Sequence, residues 1–424
     1  MRQDKNTGRL MPRLRFPEFL KAGGWSAPKL ADISSPVEDR VGDRDLTPIS
    51  ISAGIGFVRQ AEKFGRDISG NQYRMYTVVQ DGDFVYNKGN SLKFPQGCVY
   101  DLQGWGEVAA PNVFICFRLK DGYENRFFRQ CFEQNIHGVQ LRKHITSGAR
   151  SNGLLNVSKE AFFGIRIPAP DQAEQQHIAD CLLSLDDLIA TESQKLEKLQ
   201  THRLVLTQQI LPRNSEFAPR LRFPEFRKRG PWKRKTLSEI AAIRSGSTPS
   251  RAEPAFYNGG TIPWVKTTDL NNGFIVNTEE CITPAAKAKV NPAGTVLVAM
   301  YGGFKQIGRT GYLTMPAATN QAISVLNADE NEVLPIYLLT WMNARVGDWK
   351  RIASSSRKDP NITGTDVANF PIVYPDKDEQ QKIADTVASL NDGIETQIQK
   401  IASLKEHKTG LLQQLFPAMD RVTE

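Results

Sequence analysis

EQQHIADCLLSLDDLIATESQKLEKLQTHRLVLTQQILP, residues 174–212, is the stretch that decides the fold. Moving four then three residues from Ile178 meets Leu182, Leu185, Ile189, Glu192, Leu196, Leu199, Arg203, Leu206 and Ile210, a seam with only two polar members. Strict 4-3 spacing marks a coiled-coil helix and is narrower than the stripe of a helix packed on its own domain. The same walk 205 residues later meets Ile383, Val387, Leu390, Ile394, Gln397, Ile401, Leu404, Lys408, Leu411 and Leu415, with polar members at the same two places. Between residues 174–212 and 379–417, 19 of 39 positions are identical, so the chain holds two copies of one long helix. At about 1.5 Å per residue each copy is roughly 57 Å long, and neither has the unbroken apolar face of a membrane span.

The obvious partner of each helix is the other. Antiparallel pairing about a pseudo-twofold axis, with polar seam members facing polar ones, sets residue i against residue 600 − i. Glu192 then meets Lys408, Arg203 meets Gln397, Leu185 meets Leu415 and Leu196 meets Leu404. Polar pairs in such a seam fix register at a cost in stability.

The duplication extends beyond the helices. RLRFPEF stands at residues 13–19 and again at 220–226, each followed by a tryptophan (Trp25, Trp232), a leucine (Leu30, Leu237) and an isoleucine (Ile33, Ile240). An offset of 207 here and 205 in the helices makes most of the chain a tandem repeat of about 206 residues, far longer than a solenoid repeat. The order is globular unit, helix, globular unit, helix. The proline holds RLRFPEF extended, and its aromatic neighbours are apolar anchors, so the motif is expected to dock the start of each unit on the scaffold, a direct DNA role for its arginines being the less favoured reading.

With 424 residues, 40% of them hydrophobic and 24% charged, the chain has enough apolar material for two or three domains with real cores. A formal charge of +8 and a pI near 9.1 favour a polyanionic partner. Cys98, Cys116, Cys131, Cys181 and Cys281 lie far apart with no CxxC, which suggests reduced thiols rather than zinc ligands or a disulfide framework. The opening MRQDKNTGRLMPRLRF has charges with no apolar core behind them, and no run of 18 apolar residues follows. The expected location is the cytoplasm.

Residues 34–165 alternate short apolar runs, at 76–79, 83–86 and 113–117, with Gly, Asn and Asp clusters, while 127–132 and 161–163 look helical. A mixed α/β unit follows. Its polar and basic loops hold Arg59, Lys63, Asn87, Lys88, Asn90, Ser91, Lys93, Gln140, Arg142, Lys143 and Arg150. Lys and Arg on Gly/Ser/Asn loops suit phosphates, and Asn, Gln and Arg can read base edges, although a solvated surface role is open for each.

The second unit, residues 241–370, is similar in outline yet shares little sequence with the first beyond its edges, as a duplicated scaffold with two different reading heads would. Its loops carry Ser247 and Thr248, then Lys266, Thr267 and Thr268 in WVKTTD, then Tyr301, Lys305, Gln306 and Arg309 in MYGGFKQIGRTG, then Asn320 and Gln321. Ser356, Arg357 and Lys358 align at offset 207 with the loop around Arg150, a basic Ser/Gly loop before each long helix.

Sequences that resemble catalytic motifs fail on inspection. GFKQIGRT at residues 303–310 has Arg309 where a Walker A lysine belongs, and Pro316 leaves no helix N-terminus to hold a phosphate. No Gly-rich S-adenosylmethionine loop with an NPPY or DPPF tetrad is present. Pro170-Asp171 and Pro375-Asp376 start a PD-(D/E)xK pattern without its acid-x-Lys and read as helix starts. The five histidines form no HExxH or triad spacing. Neither a catalytic residue nor a metal ligand is expected.

Two variable units, each ending in a pattern like I-x-I-P-x-P-D-x-x-E-Q-Q-x-I-A-D and followed by a long heptad helix, resemble the specificity (S) subunit of type I restriction-modification systems. The resemblance covers nearly all of the chain and is sharpest at residues 163–180, 370–385, 262–270 (IPWVKTTDL) and 317–323 (AATNQAI). It implies two target recognition domains that read the halves of a split double-stranded DNA target across a fixed spacer. It also implies antiparallel helices that dock two modification (methyltransferase) subunits. The implied cofactors, S-adenosylmethionine, ATP and Mg, then belong to partner subunits, with ATP-driven translocation on the restriction/translocase subunits, and none to this chain. The first unit lacks the WVKTTDL and TNQAI strings, so base-reading residues cannot be carried to it from the second.

The expected fold class is therefore α+β: two mixed α/β target recognition domains alternating with two long helices paired as an antiparallel coiled coil. The domains are 1–170, the first helix 171–212, a linker and second domain 213–375, the second helix 376–417, and a tail 418–424. A stand-alone DNA-binding repressor, an unrecognised nuclease or methyltransferase, and a coiled-coil adapter without DNA contact are the competing readings.

Overall fold

The computed structural model describes residues 10–52, 54–89, 94–145, 155–213, 216–354 and 361–417. The chain divides into two compact units, Met1–Glu192 with Lys400–Glu424, and Ser193–Gln399. Each unit therefore owns one globular part and a half of each long helix.

In the first unit the strands are β1 (Ser34–Pro36), β2 (Thr47–Ser52), β3 (Gly56–Arg59), β4 (Thr77–Gln80), β5 (Phe84–Asn87), β6 (Cys98–Asp101), β7 (Glu107–Ala110) and β8 (Ile115–Leu119). They form two sheets, β1-β8-β5-β6 and β3-β2-β7-β4. Gly54 and Gly56 at φ 86° and 102° make the tight β2–β3 reversal, a backbone that side chains with a Cβ seldom adopt. Around the sheets lie α1 (Leu30–Ile33), α2 (Gln60–Phe64), α3 (Asn125–Glu133), α4 (Ile136–Leu141) and α5 (Lys159–Phe163), followed by the long α6 (Gln172–Ile210). The core is aromatic: Trp25 packs edge-on against Phe127 and Phe416 at 5.7 and 6.1 Å, and Phe84 stacks on Phe117 at 5.3 Å.

The second unit contains β9 (Lys233–Thr236), α7 (Leu237–Ile240), β10 (Ala241–Ser245), β11 (Ile262–Val265), β12 (Gly273–Ile275), β13 (Glu280–Ile282), β14 (Val296–Ala299), β15 (Thr310–Leu313), β16 (Ala318–Thr319) and β17 (Ile323–Ala328). After them come α8 (Pro335–Ala344), α9 (Val346–Ser354), α10 (Gly364–Ala368), β18 (Pro371–Tyr374) and the long α11 (Lys377–Leu415). Its sheets are β10-β17-β14-β15-β12, β13-β11-β16 and β18-β9. Trp232, Trp341, Trp349 and Tyr337 fill its core with Ile383 and Val387 of α11 and Ile210 of α6.

The repeated motifs meet identically inside each unit. Arg15 of RLRFPEF grips Glu174 with two charge-assisted bonds of 2.7 and 2.6 Å, and Arg222 grips Glu379 at 2.8 and 2.7 Å. Gln175 donates to Pro170 O and accepts from Glu124 N at the start of α3, while Gln380 donates to Pro375 O and accepts from Leu334 N at the start of α8. The EQQ string thus ties each long helix to the leading motif and to the first helix behind the sheet. The docking expected of RLRFPEF is what the arginines do.

The seam residues Leu185, Ile189, Glu192, Leu196, Leu199, Arg203, Leu206, Ile210, Leu390, Ile394, Gln397, Ile401, Leu404, Lys408, Leu411 and Leu415 are all buried or half-buried. Their register differs from the expected one. In the first unit Lys408 Nζ bonds Asp186 at 2.7 Å and Lys400 Nζ bonds Glu192 at 2.5 Å, so the segments run antiparallel with residue i opposite about 593 − i. Ile178 and Leu182 accordingly share a core with Leu411 and Leu415. In the second unit the same relation brings Leu206 and Ile210 to the core that holds Ile383 and Val387. Glu192 does not meet Lys408, and Arg203 does not meet Gln397. The pairing is one heptad away because it covers both apolar ends, and within it Lys408 and Glu192 take off-seam partners, Asp186 and Lys400.

Candidate DNA interface

In the second unit, β11 lies parallel to β16, pairing Trp264 with Ala318 and Val265 with Thr319. This brings the ends of WVKTTD and TNQ side by side, and Asn320 N donates to Val265 O at 3.0 Å. The segment leaving β10 lies over the same turn: Ser247 N donates to Thr319 O at 2.9 Å, and Trp264 Nε1 donates to Ser247 O at 3.2 Å. A Cβ on Gly246 would sit 2.2 Å from Thr319 O, so this approach requires glycine. Thr248 Oγ1 donates to Gln321 Oε1. The MYGGFKQ loop joins them: Gly302 and Gly303 have φ of 111° and 81°, and the Cβ position of Gly302 faces Thr267 Oγ1 at 3.2 Å. Ser247, Thr248, Lys266, Thr267, Thr268, Asn320 and Gln321 therefore gather with Tyr301 at one end of the unit. Tyr301 and Lys305 are exposed, while Gln306 and Arg309 are half-buried behind them.

Lys266 is already engaged. Its Nζ sits 2.7 Å from both Glu279 and Glu280, whose hydrogen bonds and charge hold its ammonium pKa above the ordinary value. Such a lysine positions the loop with two of its three N–H groups and has its charge largely offset by the two carboxylates.

The first unit builds the same frame from different residues. Order β1-β8-β5-β6 matches β10-β17-β14-β15, and β2, antiparallel to β3 and parallel to β7, matches β11 with β13 and β16. Lys63 Nζ donates to Ser50 Oγ at 3.2 Å and Ile51 O at 2.8 Å, and Asn87 Nδ2 reaches Ile51 O at 3.4 Å, so Lys63 and Asn87 converge on β2. Lys88 Nζ donates to Val157 O at 3.3 Å, and Lys88 O accepts from Leu155 N at 2.9 Å, just as Met300 O accepts from Ile362 N at 2.9 Å. The chain thus returns, after residues 146–154 and 355–360, beside the loop that follows the central strand of each sheet.

Other candidates are placed apart or otherwise. Arg59 is exposed beside Glu62 at 4.0 Å, and Arg142 and Lys143 are exposed on a single turn after α4. Gln140 is buried, its amide bonded to the backbone of Arg166 through both ends at 2.7 and 2.8 Å. It holds the chain entering the long helix and presents nothing to a ligand. Asn90, Ser91, Lys93, Arg150, Ser356, Arg357 and Lys358 lie outside the described residues. Arg40 and Asn112 are not among the residues expected from sequence, because only tertiary pairing brings them together, Arg40 Nη1 donating to Asn112 Oδ1 at 2.7 Å. Among the described residues no three His, Cys, Asp or Glu side chains cluster to hold a metal ion, and no helix is long and apolar enough to cross a membrane.

The type I restriction modification DNA specificity domain model matches residues 78–201 and 230–406, well over half of the chain. The chain belongs to this family. It is 28% identical over 171 residues to the Type I restriction enzyme MjaIX specificity subunit of Methanocaldococcus jannaschii, covering 39% of each chain. To the EcoR124I/EcoR124II specificity subunit of Escherichia coli it is 26% identical over 191 residues, 42% of this chain and 47% of the relative. The matched stretch spans roughly two fifths to a half of those relatives' own length. The fold is similar to that of the type I restriction-modification S subunit from M. genitalium, with TM-score 0.57 at 15% identity, covering 97% of this chain and 100% of the other. HsdS from Thermoanaerobacter tengcongensis gives TM-score 0.50 at 15% identity, covering 93% of this chain and 97% of that one.

Proposed function

We propose that this member of the specificity-domain family is the DNA-reading subunit of a type I restriction-modification assembly. Its two recognition domains each read one half of a bipartite double-stranded target. The observation that carries the reading is the common frame: each unit sets unlike polar side chains at the same end of the same pair of sheets. A stand-alone repressor has no use for the long seam, and an adapter without DNA contact has none for these loops.

In this reading residues 1–170 and 213–375 hold the recognition domains, and residues 171–212 and 376–417 form a pseudo-twofold antiparallel coiled coil that sets the spacer. Two modification subunits and the restriction/translocase subunits assemble on that scaffold in the cytoplasm. S-adenosylmethionine, ATP and Mg reside on those partners, and this chain performs no catalytic step. It contributes binding: exposed Lys305, Arg142 and Lys143 suit phosphates, while Asn320 and Gln321 carry the amides suited to base edges.

Mapping methylated adenines in DNA exposed to the assembled complex tests the reading. A split motif is expected, and exchanging residues 34–165 for those of another family member should alter one half only. Change in both halves, or methylation by the purified chain with S-adenosylmethionine alone, refutes it. DNA affinity is also expected to fall steeply with salt, since phosphate contacts release counterions.

A further inference from the structure

The first unit carries no TNQAI string, yet its ladder shows what stands in its place. β16 ends at Thr319 and β7 ends at Ala110, each parallel to the matching strand, Val265 pairing with Thr319 and Pro48 with Ala109. After β16 comes a turn closed by Ile323 N to Asn320 O at 3.2 Å, and after β7 a turn closed by Phe114 N to Pro111 O at 3.0 Å. Matched on these turn closures, Pro111 and Asn112 occupy the places of Asn320 and Gln321. The gripping donor is also replaced. Gln321 Oε1 accepts from Thr248 on the segment leaving β10, whereas Asn112 Oδ1 accepts from Arg40 Nη1 at 2.7 Å, on the segment leaving β1. Arg40 Nη1 donates further to Met75 O at 2.7 Å, and both Arg40 and Asn112 are exposed.

We propose that Arg40 and Asn112 are the base-reading pair of the first unit and that they select a guanine in its half-site. The inference rests on the DNA-reading function argued above. Arg40 takes one lone pair of Asn112 Oδ1 and turns that oxygen toward itself, so the pair presents chiefly donors: the Arg40 Nε and Nη2 edge and the Asn112 amide hydrogens. A face dominated by donors matches the N7 and O6 acceptors of guanine in the major groove, the edge an arginine fork fits best. Adenine adds a donor at N6 and cytosine presents a donor at N4, and both meet this face badly. The bond between the two side chains also orders the long arginine before contact, which lowers the entropy lost on binding.

The test uses the full chain assembled with its modification subunits, with methylated sites mapped for the parent complex and for Arg40→Ala, Arg40→Lys and Asn112→Ala. Both side chains are on the surface, and thermal melting of each complex checks folding. Expected is relaxation at one G·C position in one half-site, about 5- to 150-fold in discrimination, with the other half-site unchanged. Arg40→Lys keeps the charge but loses the fork, so it should relax the same position. Uniform weakening on all sequences that Arg40→Lys restores would make Arg40 a phosphate contact and overturn the proposal, as would an unchanged motif in all three variants. A parent complex that modifies no split site would instead overturn the functional reading itself.

Discussion

Arginine 15 offers the sharpest test of how the repeated motifs hold each unit together. Its guanidinium and the Glu174 carboxylate are 5% and 1% exposed, and two bonds of 2.7 and 2.6 Å join them. Arg15→Ala leaves the carboxylate buried without a counter-charge, which costs roughly 3–5 kcal/mol. Removing both charges costs much less, because an apolar pair of similar volume avoids desolvating two ions. The affected region contains the Ser26–Ala169 bridge, with backbone bonds of 3.1 and 2.9 Å. Hydrogen exchange read by mass spectrometry follows this region separately from the other unit. For Arg15→Ala, protection of peptides spanning residues 22–30 and 165–182 is expected to fall roughly 100- to 4,000-fold, since each 1.4 kcal/mol is a factor of ten. The double change Arg15→Leu with Glu174→Leu should recover most of it, and peptides around residues 370–383, beside Arg222 and Glu379, should not respond. A loss under tenfold, or a double variant no better than the single one, would refute the reasoning.

The helix register is checked by cysteine pairs: Asp186→Cys with Lys408→Cys should form an oxidative cross-link, whereas Glu192→Cys with Lys408→Cys should not. The reverse pattern would restore the pairing one heptad away. Glu332 gives a pH dependence. The Tyr374 hydroxyl, then Lys233 and Lys235, hold its carboxyl down to about 2, below the usual carboxylate range. Its contribution is therefore present above the unfolded carboxylate pKa of about 4.3 and is lost as pH falls toward 2. Glu332→Gln should melt below the parent at pH 6 and converge with it near pH 2. An equal difference at both pH values would show that charge is not the cause.

The long helices and the duplication were legible because both signals are local. A 3.5-residue repeat and a copied string can be seen without knowing what touches what. The recognition sheets were less so. Their strands are two to six residues long, and β2 finds β7 about sixty residues away, so register is set by tertiary pairing rather than by any one string. For that reason Gln140 looked like a loop amide when it is buried against Arg166, and Arg40 with Asn112 looked like nothing at all.

The register shows how magnitude decides between two patterns that the sequence permits equally. Both the expected and the observed pairing keep the seam in phase, since they differ by one heptad. The expected one faces Glu192 with Lys408, a contact worth about 0–1 kcal/mol at a partly exposed site. It also carries Ile178, Leu182, Ile383 and Val387 past the end of the opposing helix. The observed pairing instead sets Leu411 and Leu415, and Leu206 and Ile210, against those four side chains, which together with each unit's globular core leaves them 1%, 0%, 1% and 8% exposed. At roughly 1.5–3 kcal/mol for each fully buried aliphatic side chain, an upper estimate, covering the ends outweighs the polar pair several-fold. The charges then take what partners the apolar register leaves beside them: Lys408 reaches Asp186, and Glu192 is met by Lys400. Polar seam residues here follow the register set by the apolar ends; they do not choose it.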